Sequence, residues 1–120
     1  WFALGTLKET VLRIVPGQKL AYVTDAVYHE ANAARIVELA RGADALYIEA
    51  PFLEQDAERA AAKYHLTAAQ AGRLARSAGV KSVVPFHFSP VYHDRGAALR
   101  AEVERTFAGP ARPCNTVGVP

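Results

Sequence analysis

Short apolar segments of strand type alternate along the chain with helical segments of about eleven residues, and this alternation constrains the fold more than any other feature. The predicted strands are Lys19–Thr24, Asp44–Glu49 and Val80–Phe86. The predicted helices are Glu30–Ala40, Glu54–Tyr64, Ala68–Ala78 and Arg95–Phe107. This order of elements is typical of an α/β domain in which helices flank a sheet.

One further strand is predicted ahead of this alternation. Thr10–Val15 has high β propensity, and the turn signal Pro16-Gly17-Gln18 separates it from Lys19–Thr24. Two strands joined by so short a turn form a hairpin, so we expect a mixed sheet with flanking helices. Gly109–Pro120 shows no periodicity and contains three prolines, and we expect it to be a tail.

The composition excludes several classes of protein. The 120 residues carry a formal net charge of +2, which is too small to indicate nucleic-acid binding by itself. The sequence predicts neither a membrane span nor a signal peptide. Cys114 is the only cysteine, so we expect no internal disulfide, and a cytoplasmic location is the default. Because the sequence lacks methionine and begins at Trp1, we expect it to be part of a longer protein.

Four polar residues could carry chemistry. Asp25, Glu49 and His87 each stand at the carboxyl end of a predicted strand, where α/β sheets collect ligands and metals, and His65 lies between two predicted helices. Carboxylates and imidazoles suit zinc or manganese, and they also suit acid–base catalysis. From position alone the alternatives stay open. Each carboxylate can cap a loop or pair with an arginine, and each histidine can be an ordinary core or surface residue.

Four segments of the chain, in this order, are similar to motifs of one family. His87-Phe88-Ser89-Pro90-Val91-Tyr92 is similar to a His-Phe-Ser-x-Arg-Tyr element, and His65-Leu66-Thr67-Ala68 to a His-Ser-Thr block that opens a helix. Ile48-Glu49-Ala50-Pro51-Phe52 is similar to a His-Glu-Ala-Thr-Phe block, and Tyr22-Val23-Thr24-Asp25-Ala26 stands at a Gly-Asp-Thr strand end. From Thr10 to Tyr92 the chain therefore resembles the carboxy-terminal half of ribonuclease Z, the tRNA 3′-processing endonuclease of the metallo-β-lactamase fold.

The resemblance implies an architecture and a set of roles. Residues 1–108 would be the C-terminal portion of a metallo-β-lactamase αββα sandwich, and residues 109–120 a tail. Asp25 would bridge two zinc ions, or other divalent metals such as manganese, and His87 would be a terminal ligand. His65 would act as general acid, with Glu49 orienting it or supporting its charge. Most metal ligands would come from a His-x-His-x-Asp-His motif in an N-terminal half that this sequence does not contain.

The chain departs from the family motifs at Ala26, Ile48, Pro51, Leu66 and Val91. Val91 replaces an arginine that could hold a loop or a phosphate. The resemblance implies precursor tRNA as substrate, the missing N-terminal half as partner and the formation of a homodimer. Two alternatives remain. One is a hydrolase of the same fold that acts on small phosphodiesters or esters, and the other is a non-catalytic relic or partner-binding module.

Overall fold

The computed structural model describes residues 1–109, which contain three strands that form one sheet and five α-helices. The strands are β1 (Leu20–Val23), β2 (Ala45–Glu49) and β3 (Val83–Phe86). The helices are α1 (Leu4–Thr10), α2 (Glu30–Ala40), α3 (Ala57–Ala62), α4 (Ala68–Ala78) and α5 (Gly96–Ala108). Short 3₁₀ turns occupy Glu54–Asp56 and Pro90–Tyr92. This order confirms the predicted α/β class. Most of the predicted tail lies outside the described residues.

The three strands are all parallel and lie in the order β1-β2-β3. The predicted strand over Thr10–Val15 is wrong, and with it the hairpin that suggested a mixed sheet, because Thr10 ends α1 and residues 11–19 form no strand. The side chains of this segment are exposed, including those of Val11 and Ile14. A high β propensity describes how well a residue fits a half-buried sheet, and no described strand pairs with this segment.

Helices α2 and α4 have the predicted bounds because strong local signals fix their ends. The side chain of His29 caps α2 by accepting a hydrogen bond from the backbone N–H of Asn32. Thr67 and Gln70 form a capping box at the start of α4, and Gly79 ends it in the left-handed conformation at φ +63°. The predicted helix Glu54–Tyr64 is instead a 3₁₀ turn followed by the shorter α3.

The core lies between the sheet and one layer of helices. Leu46 and Ile48 of β2 are fully buried, as are Leu99 and Val103 of α5. The opposite face of the sheet is open in the described part of the chain: Tyr22 is 63% exposed, together with its neighbours Leu20 and Tyr47. Parallel sheets are usually covered on both faces, so this open apolar face is unusual. Among residues 1–109, no helix is both long and apolar enough to cross a membrane.

Gly72 allows α4 and α5 to approach closely, and this contact can be tested. A Cβ at Gly72 would overlap the hydroxyl oxygen of Thr106 and the carbonyl oxygen of Val103. We expect Gly72→Ala to lower the free energy of unfolding by about 1–3 kcal/mol, measured by urea denaturation. The matched control is Gly5→Ala in α1, where a Cβ meets no neighbouring atom. Equal unfolding midpoints for the two variants would contradict this packing.

Candidate metal centre

The parallel sheet brings three of the predicted residues to one edge. Glu49 ends β2, Asp25 follows β1 after one residue, and His87 directly follows β3. His65 reaches the same edge from the α3–α4 loop, where its backbone N–H donates to the carbonyl of Ala60 at 2.9 Å. One candidate ligand atom from each of the four side chains lies within 4.8 Å of the others. Residues distant in the chain therefore meet in one cluster.

The carboxylate of Glu49 lies at the centre of this cluster and is completely buried. It accepts hydrogen bonds from three backbone N–H groups: those of Asp25 at 2.7 Å, Ala26 at 3.3 Å and Leu66 at 2.9 Å. An uncompensated buried carboxylate would be strongly unfavourable. Here the fixed donors stabilise it, and they also hold the loop after β1 and the loop before α4 against the end of β2.

Both histidines direct the same ring nitrogen at Glu49. The Nδ1 atom of His65 lies 3.1 Å from Glu49 Oε2, and that of His87 lies 3.2 Å from the same oxygen. Because Nδ1 of each ring is engaged by Glu49, Nε2 is the ring nitrogen left available to a ligand or a proton. The two rings are edge to face, with centroids 5.2 Å apart. A carboxylate behind a histidine in this way is the usual support of a metal-binding imidazole.

Two site residues have left-handed backbone conformations. Asp25 has φ +51° and His87 has φ +61°, and Tyr64, directly before His65, has φ +58°. Such conformations are uncommon outside glycine, although Asp and His tolerate them better than most residues. They persist where surrounding contacts enforce them, and they are frequent at functional sites. The hydrogen bonds to Glu49 are contacts of this kind.

Aromatic packing and one buried hydroxyl hold the loop that follows His87. Tyr92 packs edge to face against Phe52, with ring centroids 6.3 Å apart, and its hydroxyl donates to Asp56. Burial raises the pKa of Tyr92, and the hydrogen bond to the Asp56 carboxylate raises it further. The backbone N–H of Ser89 also donates to the carbonyl of Pro51 at 3.2 Å. The loops after β2 and β3 are therefore joined to each other.

Glu54 fixes the start of α4 next to His65. Its carboxylate accepts hydrogen bonds from the Thr67 hydroxyl and, at 2.9 Å, from Arg73. Burial acts to raise the pKa of Glu54, but the hydrogen bonds from Thr67 and Arg73 outweigh it and hold that pKa below its usual value. The same carboxylate thus links the Glu54–Asp56 turn to the helix that follows the site loop.

The structure brings Asp25, Glu49, His65 and His87 together, whereas the other described histidines lie elsewhere. His29 caps α2, and His93 is exposed and pairs with Asp94 at 2.8 Å. Sequence reasoning did not include the contact between Glu49 and His87. It also missed the backbone donors, because every residue type except proline carries an N–H and no sequence signal marks which ones converge.

The donor set of this cluster suits a metal ion. Three backbone N–H groups and two imidazole nitrogens already contact the Glu49 carboxylate. The groups that remain available to bind a metal are the carboxylate of Asp25 and the Nε2 atoms of His65 and His87. The Asp25 side chain is largely exposed, and its Oδ1 lies 4.0 Å from Nδ1 of His65. One carboxylate with two carboxylate-supported imidazoles fits the ligand preferences of zinc and related divalent metals.

Comparison with known proteins assigns the chain to a family. Residues 9–88 match the Beta-lactamase superfamily domain, so the chain belongs to this family. Its fold is also similar to that of the metallo-β-lactamase fold protein YhfI from Bacillus subtilis. That similarity has a TM-score of 0.61 at 25% identity and covers 75% of this chain and 34% of that one.

Within the family the chain resembles ribonuclease Z. It is 42% identical over 85 residues to the ribonuclease Z of Bacteroides fragilis strain YCH46, covering 71% of this chain and 27% of that protein. It is 44% identical over 94 residues to the ribonuclease Z of Nocardia farcinica, and this match covers 78% of this chain and 29% of that protein. It is 41% identical over 105 residues to the ribonuclease Z of Streptomyces avermitilis, and this match covers 88% of this chain and 34% of that protein. The chain spans about a third or less of each of these relatives.

Glu49→Gln tests the central position of the buried carboxylate. The amide NH₂ would face donors that now meet an oxygen, so at least one buried N–H would lose its acceptor. We expect the free energy of unfolding to fall by about 1–3 kcal/mol. We expect the affinity for zinc to fall about 10–100-fold in calorimetric titrations. Glu58→Gln, at an exposed position of α3, is the matched control. Unchanged stability and zinc affinity in Glu49→Gln would refute this assignment.

Proposed function

We propose that the protein carrying this chain is a zinc-dependent phosphodiesterase that cleaves RNA, and that it resembles ribonuclease Z in processing the 3′ ends of precursor tRNA. The convergence of Asp25, His65 and His87 on the buried Glu49 is the observation that carries this proposal. The similarity to several ribonuclease Z proteins supports the choice of RNA as substrate. In this proposal the protein acts in the cytoplasm.

In this proposal Asp25 and His87 would hold the zinc, with Asp25 shared between two ions and His87 a terminal ligand to one of them. Zinc, when bound, polarises a phosphoryl oxygen and makes water a stronger nucleophile at neutral pH. The side chain of Asp25 is 72% exposed and that of His87 is 43% exposed, so both are accessible to a ligand. Glu49 keeps the His87 ring in the orientation that presents Nε2.

His65 donates a proton to the departing 3′ oxygen in the same proposal. Its Nδ1 hydrogen is committed to Glu49, so the transferable proton is held at Nε2. The Glu49 carboxylate stabilises the positive charge of the protonated ring before transfer and fixes the direction of Nε2.

The described residues make up only part of such a site. Asp25 and His87 are two ligands, and catalytic zinc sites generally use at least three protein ligands per ion. The open sheet face formed by Leu20, Tyr22 and Tyr47 is an apolar surface that a second layer would cover. We therefore propose that an N-terminal half of the same fold covers this face and supplies the other ligands. On its own, this chain would bind metal weakly and would not catalyse.

A hydrolase of small phosphodiesters is the second candidate. The observation that favours it is Val91, which is 54% exposed beside the site at the position where the similar motif has arginine. Without that guanidinium, one expected contact to an RNA phosphate or a neighbouring loop is missing. Turnover of precursor tRNA and of bis(p-nitrophenyl) phosphate by the full protein separates the two candidates.

Asp25→Ala tests the proposed metal-ligand role. We expect the rate of precursor tRNA cleavage by the zinc-loaded full protein to fall by more than about 100-fold. Loss of a residue that only supports a metal ligand typically costs about 10–100-fold, and loss of the ligand itself should cost more. Zinc content, measured by plasma mass spectrometry, should fall in parallel. Asp94→Ala removes an exposed aspartate outside the cluster and serves as the control. Cleavage by Asp25→Ala at the unsubstituted rate would exclude this role, and no cleavage by the unsubstituted protein would exclude the proposed activity.

His65→Ala tests the proton donor separately from the ligands. We expect kcat on precursor tRNA to fall about 10²–10⁴-fold while zinc content is retained. The loss should be much smaller on bis(p-nitrophenyl) phosphate, because nitrophenolate is a weak base that departs without a proton. His87→Ala, in contrast, should lose zinc and lose activity on both substrates. An equal loss on both substrates in His65→Ala would show that His65 is not the acid.

A further inference from the structure

A cavity beside the metal centre carries two positively charged side chains that the proposed chemistry does not use. Its volume is about 350 Å³, and it lies between α3 and the loop that follows β3. His65 and His87 form the part of its wall that belongs to the metal centre. Arg59 and Lys63 also line it, whereas none of its lining residues is an aspartate or glutamate. The cavity is therefore positively charged and open to the reacting centre.

Arg59 lies in α3, and Lys63 directly follows the last residue of that helix. The backbone N–H of Lys63 donates to the carbonyl of Arg59 at 3.2 Å, so the two residues are one helical turn apart and lie on the same side. Ala60, between them, is 1% exposed and anchors that helix in the core. The guanidinium of Arg59 lies over the ring of Phe52, 6.0 Å from its centroid, and this contact restricts the side chain.

Neither cation is neutralised by an acidic neighbour in the part of the chain that the structure describes. The ion pairs among residues 1–109 involve Arg41, Arg73, Lys81 and Arg105, together with the histidines, and leave out both Arg59 and Lys63. Exposed cations are usually solvated and carry no specific role. Two of them on one wall of a cavity that reaches the metal centre, with no carboxylate opposite, form a site complementary to an anion.

We propose that this cavity is a subsite for a backbone phosphate of the RNA next to the phosphate that reacts, and that Arg59 and Lys63 bind it. The proposal rests on the proposed function for the identity of the substrate. The reacting phosphate belongs at the metal centre, so the anion in the cavity is a neighbouring phosphodiester of the same strand. Arg59 offers a planar set of donors and Lys63 a point charge, and both act on affinity and position without taking part in bond cleavage.

The test measures how salt affects RNA binding by the full protein loaded with zinc. All variants carry His65→Ala so that the RNA remains uncut, and the probe is a labelled oligoribonucleotide of about 12 nucleotides followed by fluorescence anisotropy. Arg59→Met and Lys63→Met are combined, because methionine keeps the apolar stem and removes the charge. The control combines Lys8→Met and Arg13→Met, which remove the same charge from positions that do not line this cavity.

Loss of the cations that neutralise one phosphate of a single strand should lower the slope of log affinity against log salt by about 0.7. Between 50 and 200 mM salt, the parent should therefore lose about 2.6-fold more affinity than the Arg59/Lys63 variant. The control pair should keep the parent's slope. Equal slopes in the parent and the Arg59/Lys63 variant, or equal changes in both double variants, would overturn the proposal.

A second probe distinguishes a neighbouring phosphate from the reacting one. Dimethyl phosphate has a single phosphate, and its alkoxide leaving group needs a proton donor, so variants that carry His65→Ala leave it intact. Its inhibition of oligoribonucleotide binding reports on the metal centre. A loss of the same size for this diester and for RNA in the Arg59/Lys63 variant would place the cations at the reacting phosphate and overturn the subsite. If only the subsite is wrong, the unsubstituted full protein still cleaves precursor tRNA while the parent and the Arg59/Lys63 variant have equal slopes. If the proposed function is wrong, the unsubstituted full protein does not cleave precursor tRNA.

Discussion

The buried carboxylate of Glu49 is the interaction on which the rest of the site depends. A carboxylate with no solvent contact persists only when fixed donors replace water, and here three backbone N–H groups and two imidazoles do so. Those donors come from the ends of β1 and β3 and from the loop before α4. One side chain at the end of the central strand therefore determines where Asp25, His65 and His87 stand. The geometry of the site therefore depends on where the strands of the sheet end.

Local signals made much of this fold predictable from the sequence. Helices α2 and α4 have their predicted bounds because capping residues and apolar periodicity act within a few residues. The strand over Thr10–Val15 was wrong because propensity does not specify a pairing partner. Asp25, Glu49 and His87 could be chosen because parallel strands end at a common edge. The left-handed conformations of Asp25 and His87 had no sequence signal, since they follow from contacts made across the fold.

The open sheet face is an observed feature, and the small number of proposed ligands is a consequence of the proposed roles; both fit the same proposal. A parallel sheet with helices on one side leaves side chains such as those of Tyr22 and Tyr47 in contact with water. The free-energy cost of this exposure increases with the apolar area that is exposed. A centre with Asp25 and His87 as its metal ligands lacks a third ligand for a catalytic zinc ion. A second layer of the same fold, placed on that face, would remove both deficits at once.

Net charge is a poor guide to this surface, because local arrangement decides what an anion meets. A total of +2 over 120 residues does not indicate RNA binding. Many cations are neutralised in place, as Lys81 is by Asp44 at 2.6 Å, and such pairs contribute little to the field around the molecule. Arg59 and Lys63 differ because their cavity has no acidic lining and opens on the histidines of the site. A weakly charged chain can thus present a concentrated positive surface at the place where a polyanion would be cut.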